Sequence, residues 1–137
     1  VEALSRCKSN VDSGTFMAIQ RAAIVGLDRY EEWVPVMQAE YQARRDSFVA
    51  GLNSLGWHLE PPKATFYVWV PVPPGYDSAS FATDLLRQCQ VLAIPGAVYG
   101  EFGEGFVRFS LTIKGQDKQA QIAEAISAMR ENLKLAW

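Results

Sequence analysis

Apolar residues recur at three- and four-residue steps over long parts of the chain and at two-residue steps over shorter ones. These are the periods of an amphipathic helix and of a strand. The helical period first appears in Phe16-Met17-Ala18-Ile19-Gln20-Arg21-Ala22-Ala23-Ile24, with Asp12 or Ser13 as cap and an end at Gly26 after Val25. Residues 1–10 carry no strong period. Asp28 reads as the next cap. Tyr30, Trp33, Met37, Tyr41, Phe48, Leu52 and Leu55 then form one aromatic-rich stripe up to Gly56, and Pro35 marks either the true start of that helix or a kink. Glu40, Arg44, Arg45 and Asp46 predict a solvated face.

Trp57-His58-Leu59-Glu60 is a short strand candidate, followed by a Pro61-Pro62-Lys63 turn. Residues 64–71 are the most strand-like stretch, with Thr65, Tyr67 and Trp69 on one face and Phe66, Val68 and Val70 on the other. Both faces are apolar, which predicts a strand covered on both sides. Residues 71–76 form a stiff loop. Asp77 or Ser78 caps a helix over Ser80 to Gln88 with Phe81, Leu85 and Leu86 inward. The run Val91-Leu92-Ala93-Ile94 stops at Pro95-Gly96, and Gly100, Gly103 and Gly105 make a pliable connection to the strand Phe106-Val107-Arg108-Phe109-Ser110-Leu111. No helix follows these glycines, so they are not a dinucleotide fingerprint. Residues 112–115 turn, and Gln116 to Leu133 closes the chain as a helix with Ile122, Ile126, Met129 and Leu133 inward. Pairing near 57–70 and a crossover through helix 80–88 predict an α/β (α+β) two-layer domain: a small mixed sheet of about three or four strands with helices on one face.

Arg108 changes the picture from architecture to chemistry. Alternation puts Phe106, Arg108 and Ser110 on one strand face and Val107, Phe109 and Leu111 on the other, so a guanidinium is planted mid-strand. Buried arginine is rare unless paired, and its fork is the best side-chain grip on a carboxylate. The sharp reading is a substrate-carboxylate anchor. The bland readings are an edge-strand arginine in water or a structural ion pair. Ser13 and Gly14 also present a helix N-terminus, a weak anion signal.

Bulk properties only narrow the field. The chain has 137 residues, 49% apolar and 20% charged, enough for one globular domain with a real core. A net charge of −2 without a basic block argues against nucleic acid. No run approaches the roughly 18 apolar residues of a membrane span, and residues 1–6 lack a signal-peptide layout. Cys7 and Cys89 read as reduced thiols of a cytoplasmic protein, and His58 has no metal-ligand spacing around it.

Four blocks carry a resemblance: Lys8-Ser9-Asn10-Val11-Asp12-Ser13-Gly14, Pro62-Lys63-Ala64-Thr65-Phe66-Tyr67-Val68-Trp69, Pro95-Gly96 to Tyr99-Gly100, and Gly105-Phe106-Val107-Arg108-Phe109-Ser110-Leu111. Their order and spacing resemble the C-terminal part of class I/II, fold-type I pyridoxal-phosphate aminotransferases, nearest the LL-diaminopimelate aminotransferase-like set. The resemblance spans residues 1–137 as one small domain, with residues 1–28 as an interdomain or dimer-contacting segment. It implies that Arg108 binds the substrate α-carboxylate, that Tyr99, Phe66 and Tyr67 line or support that pocket, and that Ser13 and Gly14 lie near the subunit interface of a homodimer, where Ser13 reaches the partner's active site as a substrate-binding residue. It implies pyridoxal 5'-phosphate in the parent enzyme and amino-acid and 2-oxo-acid substrates, as in amino-acid biosynthesis.

One departure limits this. The family holds its cofactor on a lysine in Ser-x-x-Lys followed by a phosphate-binding arginine, and sets an Asp against the pyridine nitrogen. Lys8, Lys63, Lys114, Lys118 and Lys134 do not sit in that context. The expectation is therefore a C-terminal domain without its large cofactor domain, contributing no catalytic or cofactor-binding residue of its own and inactive alone. It should expose an apolar face around Met17, Trp33 and Phe102. The alternatives are a stand-alone carboxylate-binding or interaction module, and a structural domain with Arg108 in an internal ion pair.

Overall fold

The structure, a computed structural model, describes residues 1–11, 14–133 and 135. It divides into two compact units, Val1–Gln38 and Ala39–Trp137.

The first unit holds α1 (Glu2–Val11), α2 (Met17–Asp28) and the start of α3 (Tyr30–Asn53). α1 forms where the sequence shows no strong period; its short stripe of Leu4, Cys7 and Val11 stands at helical steps but buries no residue. Local contacts hold it: Arg6 pairs with Glu2 one turn back, and the Ser9 hydroxyl donates to the Arg6 carbonyl. α2 passes through Gly26 to Asp28 rather than stopping, since a glycine inside a helix costs only about 1 kcal/mol. Asp28 thus ends α2 instead of capping the next helix, and Pro35 lies inside α3. Phe16, Met17, Ile19, Ile24, Leu27, Trp33 and Met37 are all exposed, so the predicted stripe is buried only in its later part.

The second unit is a three-stranded sheet with helices on one face. β1 (Tyr67–Pro71), β2 (Ile94–Pro95) and β3 (Phe106–Ser110) are ordered β1-β3-β2, and both pairings are antiparallel. α4 (Ser78–Cys89) connects β1 to β2, and β3 inserts between them. The α/β class and strand number match expectation. The pairing differs: no parallel pair forms among the described strands, and residues 57–60 make no strand. Trp57 is buried for another reason, since its indole N–H donates to the Pro71 carbonyl at 2.9 Å and its ring meets Phe81.

Val68, Val70, Val107 and Phe109 fill the inner sheet face. Against them pack Phe48 and Leu52 of α3, Phe81 and Leu85 of α4, and Ile122, Ile126 and Met129 of α5 (Lys118–Asn132). Phe48 meets Phe109 at 5.0 Å between ring centres. The Asp77 carboxylate caps α4 by accepting from the Ser80 amide at 2.7 Å, and Asp117 caps α5 in the same way through Ala120. Leu86 is 50% exposed; Ala82 and Cys89 take the inner positions beside Phe81 and Leu85. β1 is an edge strand covered on one face only, so its apolar outer residues Tyr67 and Trp69 are not core.

Arg44 corrects the solvated-face expectation. It is 5% exposed, donates to the Leu111 carbonyl at 2.8 Å and to the Glu40 carboxylate, and lies over the Tyr41 ring. Lys118 reaches the same Glu40 at 3.3 Å, so one carboxylate joins α3 to α5. The two cations hold the Glu40 carboxyl below its ordinary range.

Candidate functional site

Strand alternation carries Arg108 onto the outer sheet face, opposite the helices. It is in register with Trp69 on β1 and Ile94 on β2. β3 is the middle strand, so Arg108 is not an edge-strand residue. Its guanidinium carbon lies 3.9 Å from the Tyr67 ring centre and 4.5 Å from that of Tyr99. These are cation–π contacts, worth up to about 2 kcal/mol each when desolvated. Its Nε is buried without a partner, and no ion pair joins Arg108 to another described residue. A half-buried guanidinium braced by two rings, with no ion pair to another described residue, can pair with an arriving anion.

The supporting residues come from three places. Tyr67 opens β1. Phe66 precedes it, and its ring lies 4.5 Å from Tyr67 and 5.9 Å from Tyr41, so Phe66 backs Tyr67 rather than touching the guanidinium. Thr65, just before, is held at φ 72°, an uncommon conformation for a β-branched residue. Tyr99 ends a single 3-10 turn, Gly96–Tyr99, and a second turn, Glu101–Gly103, follows. Ser13 lies outside the described residues.

Beyond Tyr99 the outer face continues as an open concavity of about 440 Å³ lined by Trp69, Tyr99, Phe102, Gly103 and Phe106. Trp69 meets Tyr99 edge-on at 5.5 Å and Phe106 at 6.5 Å. Phe102 is 92% exposed. Trp69 is a site neighbour and not core, in contrast to the strand covered on both sides that the sequence predicts. Its cross-strand pairing with Arg108 is the signal that places it outside, and that pairing depends on register between strands nearly forty residues apart in sequence.

The glycines explain how the loop reaches Arg108. A Cβ on Gly96 would stand 1.9 Å from the Gly103 carbonyl oxygen, and one on Gly103 would stand 2.1 Å from that of Gly96. The backbone crosses itself there, and only glycine permits the approach. Among the described residues no cluster of His, Cys, Asp and Glu could hold a metal, and no helix is long and apolar enough to cross a membrane.

Comparison with known proteins gives this geometry its context. The model of the family "Aminotransferase class I and II" matches residues 1–128. The chain belongs to that family. It is 52% identical over 133 residues to an LL-diaminopimelate aminotransferase of Moorella thermoacetica, covering 97% of this chain and 33% of that protein. It is 50% identical over 131 residues to LL-diaminopimelate aminotransferase 2 of a Nostoc species, covering 96% and 33%. Among solved structures, apo-BacF from Bacillus subtilis superposes with a TM-score of 0.83 at 30% identity, over 99% of this chain and 34% of that one. A probable N-succinyldiaminopimelate aminotransferase from Thermus thermophilus gives 0.81 at 30% identity, over 96% and 35%. The chain thus spans about a third of the length of the relatives it matches.

Proposed function

We propose that this chain is the substrate-carboxylate-binding small domain of a pyridoxal-phosphate-dependent aminotransferase, with Arg108 as the carboxylate anchor. The observation that carries the proposal is the Arg108 guanidinium itself, braced by Tyr67 and Tyr99 and unpaired among the described residues. Family membership supports the reaction class, transfer of an amino group between an amino acid and a 2-oxo acid. The name shared by the relatives at about half identity supports an LL-diaminopimelate-type substrate as the first to test.

Among the described residues, those gathered around Arg108 include no lysine amine and no acid suited to a pyridine nitrogen, so they do not by themselves fit the cofactor. In the proposal pyridoxal phosphate, which supplies the electron sink, belongs to the large domain of the parent enzyme. The role of this chain is orientation. Two parallel N–H donors from Arg108 fix both carboxylate oxygens, which sets the rotation of the bound amino acid about its Cα. Tyr67 and Tyr99 keep the guanidinium plane from turning, and Trp69 and Phe106 extend the same aromatic face. The exposed Phe16, Met17 and Ile19 of the first unit support packing on further protein, here the large domain and a second copy of the enzyme. A cytoplasmic location belongs to the same proposal.

The test is Arg108→Lys in the enzyme that contains this chain. Lysine keeps the charge and loses the fork, so KM for the amino acid should rise at least about tenfold, some 1.4 kcal/mol. An unchanged KM would exclude Arg108 as the anchor.

A further inference from the structure

The loop that carries Tyr99 is tied down by one carboxylate that the carboxylate-binding reading does not use. Glu104 Oε1 accepts from the Ser78 amide and from the Gly105 amide, each at 2.8 Å, and Oε2 accepts from the Ser78 hydroxyl at 2.8 Å. Ser78 is fully buried at the first turn of α4. Its hydroxyl oxygen also stands 3.4 Å from the Ala97 amide. One buried serine therefore meets both ends of the loop, Ala97 at its start and Glu104 at its close. Between these ends the backbone is already closed on itself by the Gly96–Gly103 crossing and by bonds from Gly100 N to Ala97 O, Gly103 N to Gly100 O and Glu104 N to Glu101 O. A displacement of the Glu104 end must therefore move Tyr99.

Asp77 and Ser80 form a reciprocal capping box on α4, which leaves the Ser78 amide of the first turn to Glu104; capping alone does not account for the further bonds of Glu104 to the Ser78 hydroxyl and the Gly105 amide. Three donors hold the Glu104 carboxyl below its ordinary range in spite of the like charge of Asp77. On the far side, the Gly105 carbonyl accepts from Val72 N at 2.9 Å and leads directly into β3. Glu104 thus stands at the junction of three parts: the α4 N-terminus, the loop with Tyr99, and the strand with Arg108.

We infer that Glu104 is a positioning residue, a latch that fixes the 96–105 loop to α4 and so keeps the Tyr99 ring on the Arg108 guanidinium. The inference rests on Arg108 as the carboxylate anchor for its functional meaning, but not for its geometry. The latch sets alignment before ligand arrives, so the binding geometry is preorganised rather than formed on contact.

The test uses NMR of the 137-residue chain. Arg108 side-chain protons lie against two aromatic rings and should be shifted upfield of ordinary arginine signals; Arg108→Lys assigns them by their loss. In Glu104→Ala the part of that shift due to Tyr99 should disappear and the Ser78 amide should move upfield, while core methyl signals of Val70 and Met129 stay in place. Glu104→Gln keeps an acceptor for the two amides and should restore most of the Arg108 shift. Succinate, titrated as a carboxylate probe, should bind at least about fivefold more weakly to Glu104→Ala than to wild type. Wild-type Arg108 shifts in a folded Glu104→Ala would overturn the latch. If that variant does not fold, Glu104→Gln together with Tyr99→Leu decides: the latch requires Glu104→Gln to retain the shift that Tyr99→Leu loses, and equal shifts in the two would overturn it. Loss of the ring shift without any succinate binding in wild type would support the latch and count against Arg108 as anchor, so the two readings fail separately.

Discussion

The two faces of the three-stranded sheet are built from the same strands and do opposite things. Inside, Val68, Val70, Val107 and Phe109 are buried against three helices, whose buried residues are apolar apart from Arg44 of α3 and Ser78 of α4. Outside, Tyr67, Trp69, Phe106 and Arg108 are partly exposed, aromatic and charged, with a buried guanidinium nitrogen that has no hydrogen-bond partner among the described residues. The inner face has its interactions complete and should carry stability. The outer face is incomplete and should carry binding. A single-residue register shift would exchange the two, so the same alternation that makes the core also aims Arg108 outward.

The sharpest way to break the comparison is from within. Leu85→Ala removes a fully buried side chain of α4 and should cost about 2–5 kcal/mol in denaturant unfolding, with the Arg108 ring shift preserved in the folded fraction. Arg44→Ala comes next. It strips the Leu111 carbonyl and the Glu40 carboxylate of a buried donor and should cost about 2 kcal/mol, which Arg44→Lys restores only in part. Acid should act in one direction. The Glu104, Glu40 and Asp77 carboxyls are all held below their ordinary range, the first by amide and hydroxyl donors, the second by Arg44 and Lys118, the third by Ser80. Their contribution is fully present above the unfolded carboxylate range, roughly pH 4, and is lost as pH falls through the folded values. The urea midpoint should therefore drop on acidification, and Glu104→Gln should flatten that drop. The smallest effect is expected outside. Trp69→Ala is 42% exposed in the native protein and should change the unfolding free energy by less than about 1 kcal/mol, while weakening succinate binding measurably. A large stability loss there would mean that the outer face is core after all.

Much of this division was legible in the sequence, and the reasons differ by element. Strand β3 reads directly from its alternation, and α5 from Ile122, Ile126 and Met129, because local period and burial agree there. The N-terminal α1 is faint because its apolar stripe is only Leu4, Cys7 and Val11, and it buries nothing. Residues 57–60 mislead because Trp57 is buried through its own ring and one hydrogen bond, not through a ladder. Arg44 misleads because an i,i+4 charge pair looks the same whether solvated or buried, and only the distant Leu111 carbonyl tells them apart. At the site, Arg108 stands out alone as a mid-strand charge. Tyr67 and Tyr99 come from resemblance, since their approach to Arg108 needs both the β1–β3 register and the glycine crossing. The Glu104–Ser78 contact joins residues 26 positions apart across a loop, beyond the reach of any periodic pattern.

The most direct test of the central claim is discrimination by the enzyme that contains this chain. Wild type and Arg108→Ala are compared on an amino acid and on the matching amine that lacks only the carboxylate. Removing one partner of a desolvated charge pair costs about 2–4 kcal/mol, so kcat/KM for the acid should fall roughly 30- to 1,000-fold while the amine is little affected. The unfolding free energy should fall by no more than the two lost ring contacts contribute, roughly 1–2 kcal/mol, so the variant enzyme stays folded. If acid and amine lose activity equally, or if the loss follows unfolding, Arg108 is part of the framework and does not hold the substrate carboxylate.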